Sequence, residues 1–564
     1  MQQYINKSTY IFLFTLCGFI YFLGLLFPLI DTDATKFAGI ALRMFQHNDF
    51  VNIYGRLESN LADYDYLDKP HLLFWLAAAS YKLFGISDWA YRLPSVLFTF
   101  LGAYSTYGLG RTLYNKEVGK MAALIFVTSQ AIILANHDVR MDAILTGSVA
   151  LGIWQLAEFI KTDKLINVMI GAAGVALGVS TKGMIAVFVT GSALFCFTVY
   201  LRKWTTFYNW KWLVGAAAFL LTLAPVLYCY YLQFDLHPEK FVNGQHGLLG
   251  IKFIFWTQSF DRLAGDRTFV SNPEFSFFYQ TLLWAILPWV LIVYASIFGR
   301  IKAFWDVRFR KLPDMDFLTL GGLLIMLPLM SMSQFKLPHY LNVLFPMFAV
   351  LLASYLDNLM KSNNLKALNI LEKTQLFTIG ILILLSIIIN FWFFPMDKIW
   401  VEVIAFILLT ILFYTIFRGQ GIMYRILVPS AVAILLVNFM LNANFYPQLL
   451  KYQAGNEMAR IAKENNISTD KTYIYKQLIN SFDFYSKKMV PGLSVEQIKH
   501  KNDAGEKFYV FVVGDDKKEL DNMKLNYGKI YTTPQYRVSR LKIKFLNPST
   551  RPQTLNTGYL IEVN

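Results

Sequence analysis

Asp31-Thr32-Asp33-Ala34-Thr35-Lys36-Phe37-Ala38-Gly39-Ile40-Ala41 opens a polar stretch that closes at Tyr66-Leu67-Asp68-Lys69-Pro70. It begins where an apolar run, Tyr10 to Ile30, stops. A run of roughly 20 apolar residues matches the hydrocarbon thickness of a bilayer. The polar stretch therefore starts at a membrane surface, and its acids, bases and aromatics sit at the lipid–water boundary. Reading it as a surface loop decides the fold, because every later apolar run is then counted across the bilayer from this one.

Composition agrees. The chain has 564 residues, 55% of them hydrophobic and 16% charged, where a soluble domain carries about 25% charge. The net charge of +15 raises nucleic acid as a partner. However, the basic residues lie mostly in short loops between apolar runs, where membrane orientation accounts for them. No nucleic-acid partner is expected. The first run lacks a small-residue cleavage site and reads as a retained anchor. Cys17, Cys196 and Cys229 are far apart in or beside apolar runs and form neither a metal motif nor a disulfide framework.

Apolar runs near 10–30, 91–110, 119–135, 141–160, 166–180, 184–201, 212–232, 276–298, 316–332, 338–356, 375–394, 399–416 and 423–443 predict about thirteen membrane helices. The run 72–86 is too short and reads as interfacial or re-entrant. With the N-terminus inside, the inner loops hold Arg111, Lys116 and Lys120, then Arg300, Lys302, Arg308, Arg310 and Lys311, with further bases in the others. The short outer loops hold only Arg140, Lys182, Lys336 and Lys398. That asymmetry is the positive-inside pattern. It predicts a membrane domain over 1–444, with outer loops at 31–90 and 233–275, and an outward-facing domain over 445–564.

The 445–564 segment is polar and basic, with strand-like runs at 472–475, 508–513, 538–545 and 559–563 and helix-like runs at 455–465 and 495–501. It reads as a small α/β domain without a catalytic role. The fold class expected is thus an all-α polytopic membrane domain followed by a soluble α/β domain.

Ionisable groups at membrane depth are expensive, so those on the outer face deserve a functional reading. Lys69, Arg140, Lys182, Arg262 and Lys336 could neutralise a phosphate, arginine as a bidentate fork and lysine as a point charge. Asp33, Asp68, Asp138 and Asp142 could act as a general base or hold those cations. Sugar transfer from a phospholipid carrier needs both: a carboxylate for the acceptor's proton and cations for the departing phosphate. Structural alternatives stand beside each. Asp33 could flank an interfacial helix, with Asp31 competing for its role. Lys69 could snorkel to the headgroups, Arg262 could pair with Asp261 or Asp266, and Asp138 could simply pair with Arg140. Lys336 and Tyr340 could be boundary anchors.

These motifs resemble the bacterial lipid A aminoarabinose transferases and, more distantly, the protein O-mannosyltransferases, membrane glycosyltransferases of the GT-C class. The likeness runs over about residues 10–360 and rests on order and spacing: Asp33 to Ala41; Leu67-Asp68-Lys69-Pro70-His71-Leu72-Leu73-Phe74-Trp75-Leu76; Phe84-Gly85 with Arg92-Leu93-Pro94-Ser95; Asp142-Ala143-Ile144-Leu145-Thr146; Ser180-Thr181-Lys182-Gly183; and Lys336-Leu337-Pro338-His339-Tyr340. The resemblance implies an undecaprenyl-phosphate sugar donor in a bacterial inner membrane and an acceptor that is lipid A, another glycan or a protein. It makes Asp33 the catalytic carboxylate. Lys69, Arg262 and Tyr340 would hold the carrier phosphate, with Lys336 beside them. Asp142 would stand near the acceptor, supported by Asp31, Lys36, Asp68, Asp138, Arg140 and Lys182.

The chain departs from the family at Asp68-Lys69-Pro70-His71, where Glu-Lys-Pro-Pro is usual, and at Lys36-Phe37, where Arg-Tyr is usual. Trp256-Thr257-Gln258-Ser259-Phe260-Asp261 replaces a His-rich segment. No cofactor is required. A divalent metal stays open, with Asp68 and His71 as ligands to consider, and His237 and His246 read as polar loop residues. A transporter or flippase of a lipid-linked sugar is the competing class. It would show paired repeats and charges near the midplane, whereas here the charges gather at one face.

Overall fold

The computed structural model describes residues 4–57, 61–261, 274–312, 315–419 and 421–564. It is a mostly helical polytopic membrane protein with a small mixed sheet near its C-terminus. Helix α1 (Lys7–Leu23) is capped by Asn6, whose side chain accepts from the Thr9 amide. The opening polar stretch folds as α2 (Asp33–His47), then a hairpin of β1 (Tyr54–Arg56) and β2 (Asp63–Asp65). Next come α3 (Leu72–Phe84) and the long α4 (Asp88–Leu113), which Ser87 caps by accepting from the Ala90 amide.

The 119–135 run is broken into α5 (Lys116–Val127) and α6 (Gln130–Leu134). The central helices follow: α7 (Asp142–Thr162), α8 (Leu165–Lys182), α9 (Ile185–Leu201) and α10 (Lys211–Tyr230). The 276–298 run is also broken, into α11 (Phe277–Ala285) and α12 (Val290–Asp306). The membrane part closes with α13 (Leu318–Met332), α14 (Phe345–Lys361), α15 (Leu365–Ile387), α16 (Ile399–Phe417) and α17 (Ile422–Met440).

Among the described residues, seven helical segments are long and apolar enough to cross a membrane, and α1, α3, α9 and α13 are shorter apolar helices. Their surroundings differ. The α17 segment is enclosed by protein, whereas α10, α15 and α16 turn most of their surface outward. Leu221, Phe406 and Phe417 on that outward surface are 70–80% exposed, as expected for side chains whose solvent is lipid. Inside the bundle, α4 and α7 approach so closely that a Cβ on Gly147 would strike the Phe98 carbonyl oxygen. Small residues at such crossings let helices pack by van der Waals contact, which drives association in lipid.

After α17 the chain forms α18 (Ala454–Glu464), β3 (Thr472–Ile474), α19 (Asn480–Tyr485), α20 (Val495–Asp503), β4 (Phe508–Val513), α21 (Asp516–Asn522), β5 (Tyr527–Gln535) and β6 (Asn556–Val563). The sheet order is β3-β4-β6-β5, with β3 and β4 parallel and the other pairs antiparallel. Alternation along β4 sends Phe511 and Val513 to a face covered by Met458 and Ala462 of α18 and Phe482 of α19. It sends Phe508, Val510 and Val512 to the other face, under Ile498 and Leu520.

One strand expected from the sequence is absent. The 538–545 run contains a short helix, Ile543–Leu546, whose Phe545 packs on Phe394 and Tyr452. The strand that the sequence reading passed over is β5. Pro534 and its polar neighbours obscure it, yet it is the edge strand, where a missing amide donor is tolerated.

Candidate functional site

The polar groups gather where the N-terminal ends of α2 and α7, the C-terminal end of α8 and residues 338–344 meet. Asp33 is the first residue of α2, a position where a carboxylate meets the positive end of the helix dipole. Its Oδ2 lies 3.0 Å from Nη1 of Arg140. Arg140 is also held by Asp138, with Nη2 at 2.8 Å and Nε at 3.0 Å from Asp138 Oδ2. The same Nη1 lies 3.3 Å from Nδ1 of His339.

A guanidinium can only donate, so the His339 Nδ1 accepts and the ring proton sits on Nε2. That Nε2 faces Asp142 Oδ2 at 3.7 Å, long for a direct hydrogen bond. The other oxygen, Asp142 Oδ1, takes Lys182 Nζ at 2.6 Å, and Lys182 in turn stands 3.9 Å over the Tyr340 ring. His339 and Tyr340 meet edge to face at 4.9 Å.

The result is a polar relay, Asp33–Arg140–His339–Asp142–Lys182, in which a neutral imidazole joins two acid–base pairs and which ends on an aromatic ring. Exposure grades along it: the Asp33 side chain is 42% exposed and that of Asp142 only 5%. Burial pushes the Asp138 carboxyl up, and the neighbouring Arg140 charge opposes the shift. Burial would lower Arg140, but the carboxylates of Asp138 and Asp33 outweigh it and hold the guanidinium charged.

Lys182 and Tyr340 line a mostly apolar cavity together with Leu145, Ile185, Phe188, Phe278, Met326, Leu329 and Met330, with Gln258 and Ser333 as further polar members. Cationic head and greasy barrel together suit an amphiphile with a charged end. Lys336 lies beside this mouth, donating to the Glu274 carbonyl at 2.7 Å. Lys69 is half-buried and close enough to act electrostatically on His339.

Asp68 joins through its backbone, its carbonyl accepting from Gln258 Nε2 at 2.7 Å. Gly183 ends α8 at φ +72°, and a Cβ there would collide with Gln258 Oε1, so a side chain at 183 would displace the amide that holds the Asp68 carbonyl. Arg262 lies outside the described residues. Lys36 stands aside from the relay, 3.5 Å from the Tyr64 hydroxyl and over the Tyr66 ring.

Asp31 does not face the relay. It is half-buried, and desolvation pushes its carboxyl up against the opposing hydrogen bonds from Ser481 and Thr35. Among the described residues no group of three or more His, Cys, Asp or Glu side chains could hold a metal ion. His71 is buried with Nε2 on the Val51 carbonyl at 2.8 Å. His237 and His246 both bind Glu239, away from the relay.

Two participants escaped the sequence reading. His339 was legible only as a neighbour of Tyr340, and Gln258 only as a departure from a His-rich segment. Their partners come from α7, the loop before it and the segment before α3, far away in sequence.

Residues 68–229 match the family model described as dolichyl-phosphate-mannose-protein mannosyltransferase. The undecaprenyl phosphate-alpha-4-amino-4-deoxy-L-arabinose arabinosyl transferase 2 of Proteus mirabilis is 26% identical over 386 residues, covering 66% of this chain and 64% of the relative. The corresponding transferase of Edwardsiella ictaluri is 26% identical over 344 residues, 60% of this chain and 57% of its own. The chain thus aligns with less than two thirds of the length of these relatives. In structure it is similar to ArnT from Cupriavidus metallidurans bound to undecaprenyl phosphate, with a TM-score of 0.72 at 16% identity over 98% of both chains. The apo form of that protein gives 0.70 at 17% identity over 97% of both. The resemblance read from the motifs therefore holds, and the fold extends it over nearly the whole chain.

Proposed function

We propose that the chain is an inner-membrane glycosyltransferase that moves an aminoarabinose-type sugar from undecaprenyl phosphate to lipid A on the outer face of that membrane. The observation that carries this reading is the charged relay ending on Lys182 and Tyr340 at the head of the apolar cavity. The relatives whose names print that donor sugar support the choice of substrate.

In this reading the carrier's isoprenoid lies along the cavity, and Lys69, Arg262, Lys336 and Tyr340 surround its phosphate. The acceptor oxygen attacks the anomeric carbon, the bond to the phosphate oxygen breaks, and the electron pair leaves with the phosphate, where fixed cations stabilise the developing charge. Asp33 takes the acceptor proton; an acceptor that is already an ionised phosphate has none to give, and Asp33 then orients it. Direct attack inverts the anomeric configuration. Asp142 works through Lys182 and His339, setting the charge that meets the donor. The proposal includes about thirteen spans, with the N-terminus cytoplasmic, a membrane domain over 1–444 and a periplasmic domain over 445–564.

Asp33→Asn in detergent-purified protein, assayed with an undecaprenyl-phosphate aminopentose and lipid A, is expected to lose at least about 100-fold in transfer. Undiminished turnover in properly folded protein would remove Asp33 from the role.

A further inference from the structure

The start of the opening polar stretch, besides packing on the membrane helices, is pinned by residues that follow them in the chain. Gln453 pins the backbone on either side of Ile30, its Nε2 donating to the Leu29 carbonyl and its Oε1 accepting from the Asp31 amide, both at 2.9 Å. Tyr485 accepts from the Leu29 amide at 2.6 Å. Ser481 donates to Asp31 Oδ2 at 2.6 Å, and Thr35, in the first turn of α2, donates to the other oxygen. Ser481 itself is fully buried, wedged against Gly455 so closely that a Cβ there would collide with its Oγ. The Asp31 carboxylate therefore bridges a fixed hydroxyl of α19 and the first turn of α2, with Asp33 between the two anchored positions.

We propose that Ser481, through Asp31, is a positioning residue for the candidate catalytic carboxylate Asp33. The inference rests on the transfer reaction proposed above. A carboxylate on the first turn of a surface helix can swing by rotation of that helix about its axis, and misplacement of a reacting group by about 1 Å costs on the order of 100-fold in rate. The Ser481–Asp31–Thr35 bridge removes that rotation. Nothing in it touches the donor cavity, so its loss leaves donor binding alone.

Ser481→Ala is the test, with Gln46→Ala as reference. Gln46 makes a contact at the same interface, donating to the Lys487 carbonyl at 2.7 Å, but at the far end of α2. Ser481→Ala is expected to lower kcat about tenfold with the donor KM unchanged, while Gln46→Ala leaves both within twofold. Hydrogen exchange of the amides of residues 33–36 is expected to rise in Ser481→Ala and not in Gln46→Ala. Equal effects of the two substitutions, or unaltered exchange at 33–36 in Ser481→Ala, would overturn the proposal. If the unsubstituted protein transfers no sugar, the reaction assigned above falls, and the exchange comparison still decides whether Ser481 fixes the turn that bears Asp33.

Discussion

At the level of single residues, the site is a balance of paired charges, exposed at Asp33 and buried at Asp142. Asp142 and Lys182 are 5% and 12% exposed and 2.6 Å apart. Removing one partner of such a pair costs about 3–5 kcal/mol, because the other charge is left uncompensated. Lys182→Met is therefore expected to destabilise the protein by roughly that amount, whereas Asp142→Asn combined with Lys182→Met loses less than the sum of the single changes. Thermal unfolding of all three variants in one detergent checks the coupling. The sequence exposed the acids and bases as costly groups at one face, which is why Asp33, Arg140, Asp142 and Lys182 could be named from it. Their pairing was not legible. Whether Asp142 meets Lys182 or Arg140 depends on how α7 and α8 cross, and helix crossings follow packing surfaces that a linear pattern does not encode.

At the level of helices, hydropathy located the segments and missed their breaks. The 119–135 and 276–298 runs are mostly apolar, yet each is two helices, parted near Thr128-Ser129 and near Pro288. One break joins the other: the Gln130 amide donates to the Leu287 carbonyl at 3.0 Å, satisfying backbone groups freed by both interruptions. Helix α13 contributes Met326, Leu329 and Met330 to the cavity wall. Met330→Trp is expected to fill part of that volume and raise the KM for a full-length polyprenyl donor about tenfold, with a much smaller effect on a short-chain analogue. Steady-state kinetics with donors of two chain lengths separates the outcomes, since equal effects would place the tail elsewhere.

At the level of the whole molecule, the domain formed by α18 to β6 is not an appendage. Leu61, from the segment between α2 and α3, sits in its apolar core with Met458 and Phe511. Arg56 crosses to Asp483 at 2.6 Å. Burial pushes the Asp483 carboxyl up to about 6, the Arg56 charge opposing it without winning, as happens when desolvation exceeds Coulombic gain. The folded state therefore binds this proton more tightly than the unfolded chain, whose carboxyl titrates near 3.9. The protonated form's contribution is complete below about 4 and lost as pH rises through about 6. Docked protein is expected to unfold at a lower temperature at pH 7 than at pH 5, and Asp483→Asn to flatten that slope while keeping an acceptor for the Val490 amide. Scanning calorimetry of both proteins across that range tests it. Composition and strand pattern were enough to recognise this part as α/β, but nothing in it announced that its partner lay between α2 and α3.

Ser481 follows Asp31 by 450 residues. At translation speeds of about 5–20 residues per second, the ribosome needs tens of seconds to travel between them. Throughout that interval the helices enter the bilayer one after another while the turn bearing Asp33 lacks the hydroxyl that will hold it. A nascent chain stalled or cleaved before α19 would carry every membrane helix and still lack Ser481, the partner of Asp31.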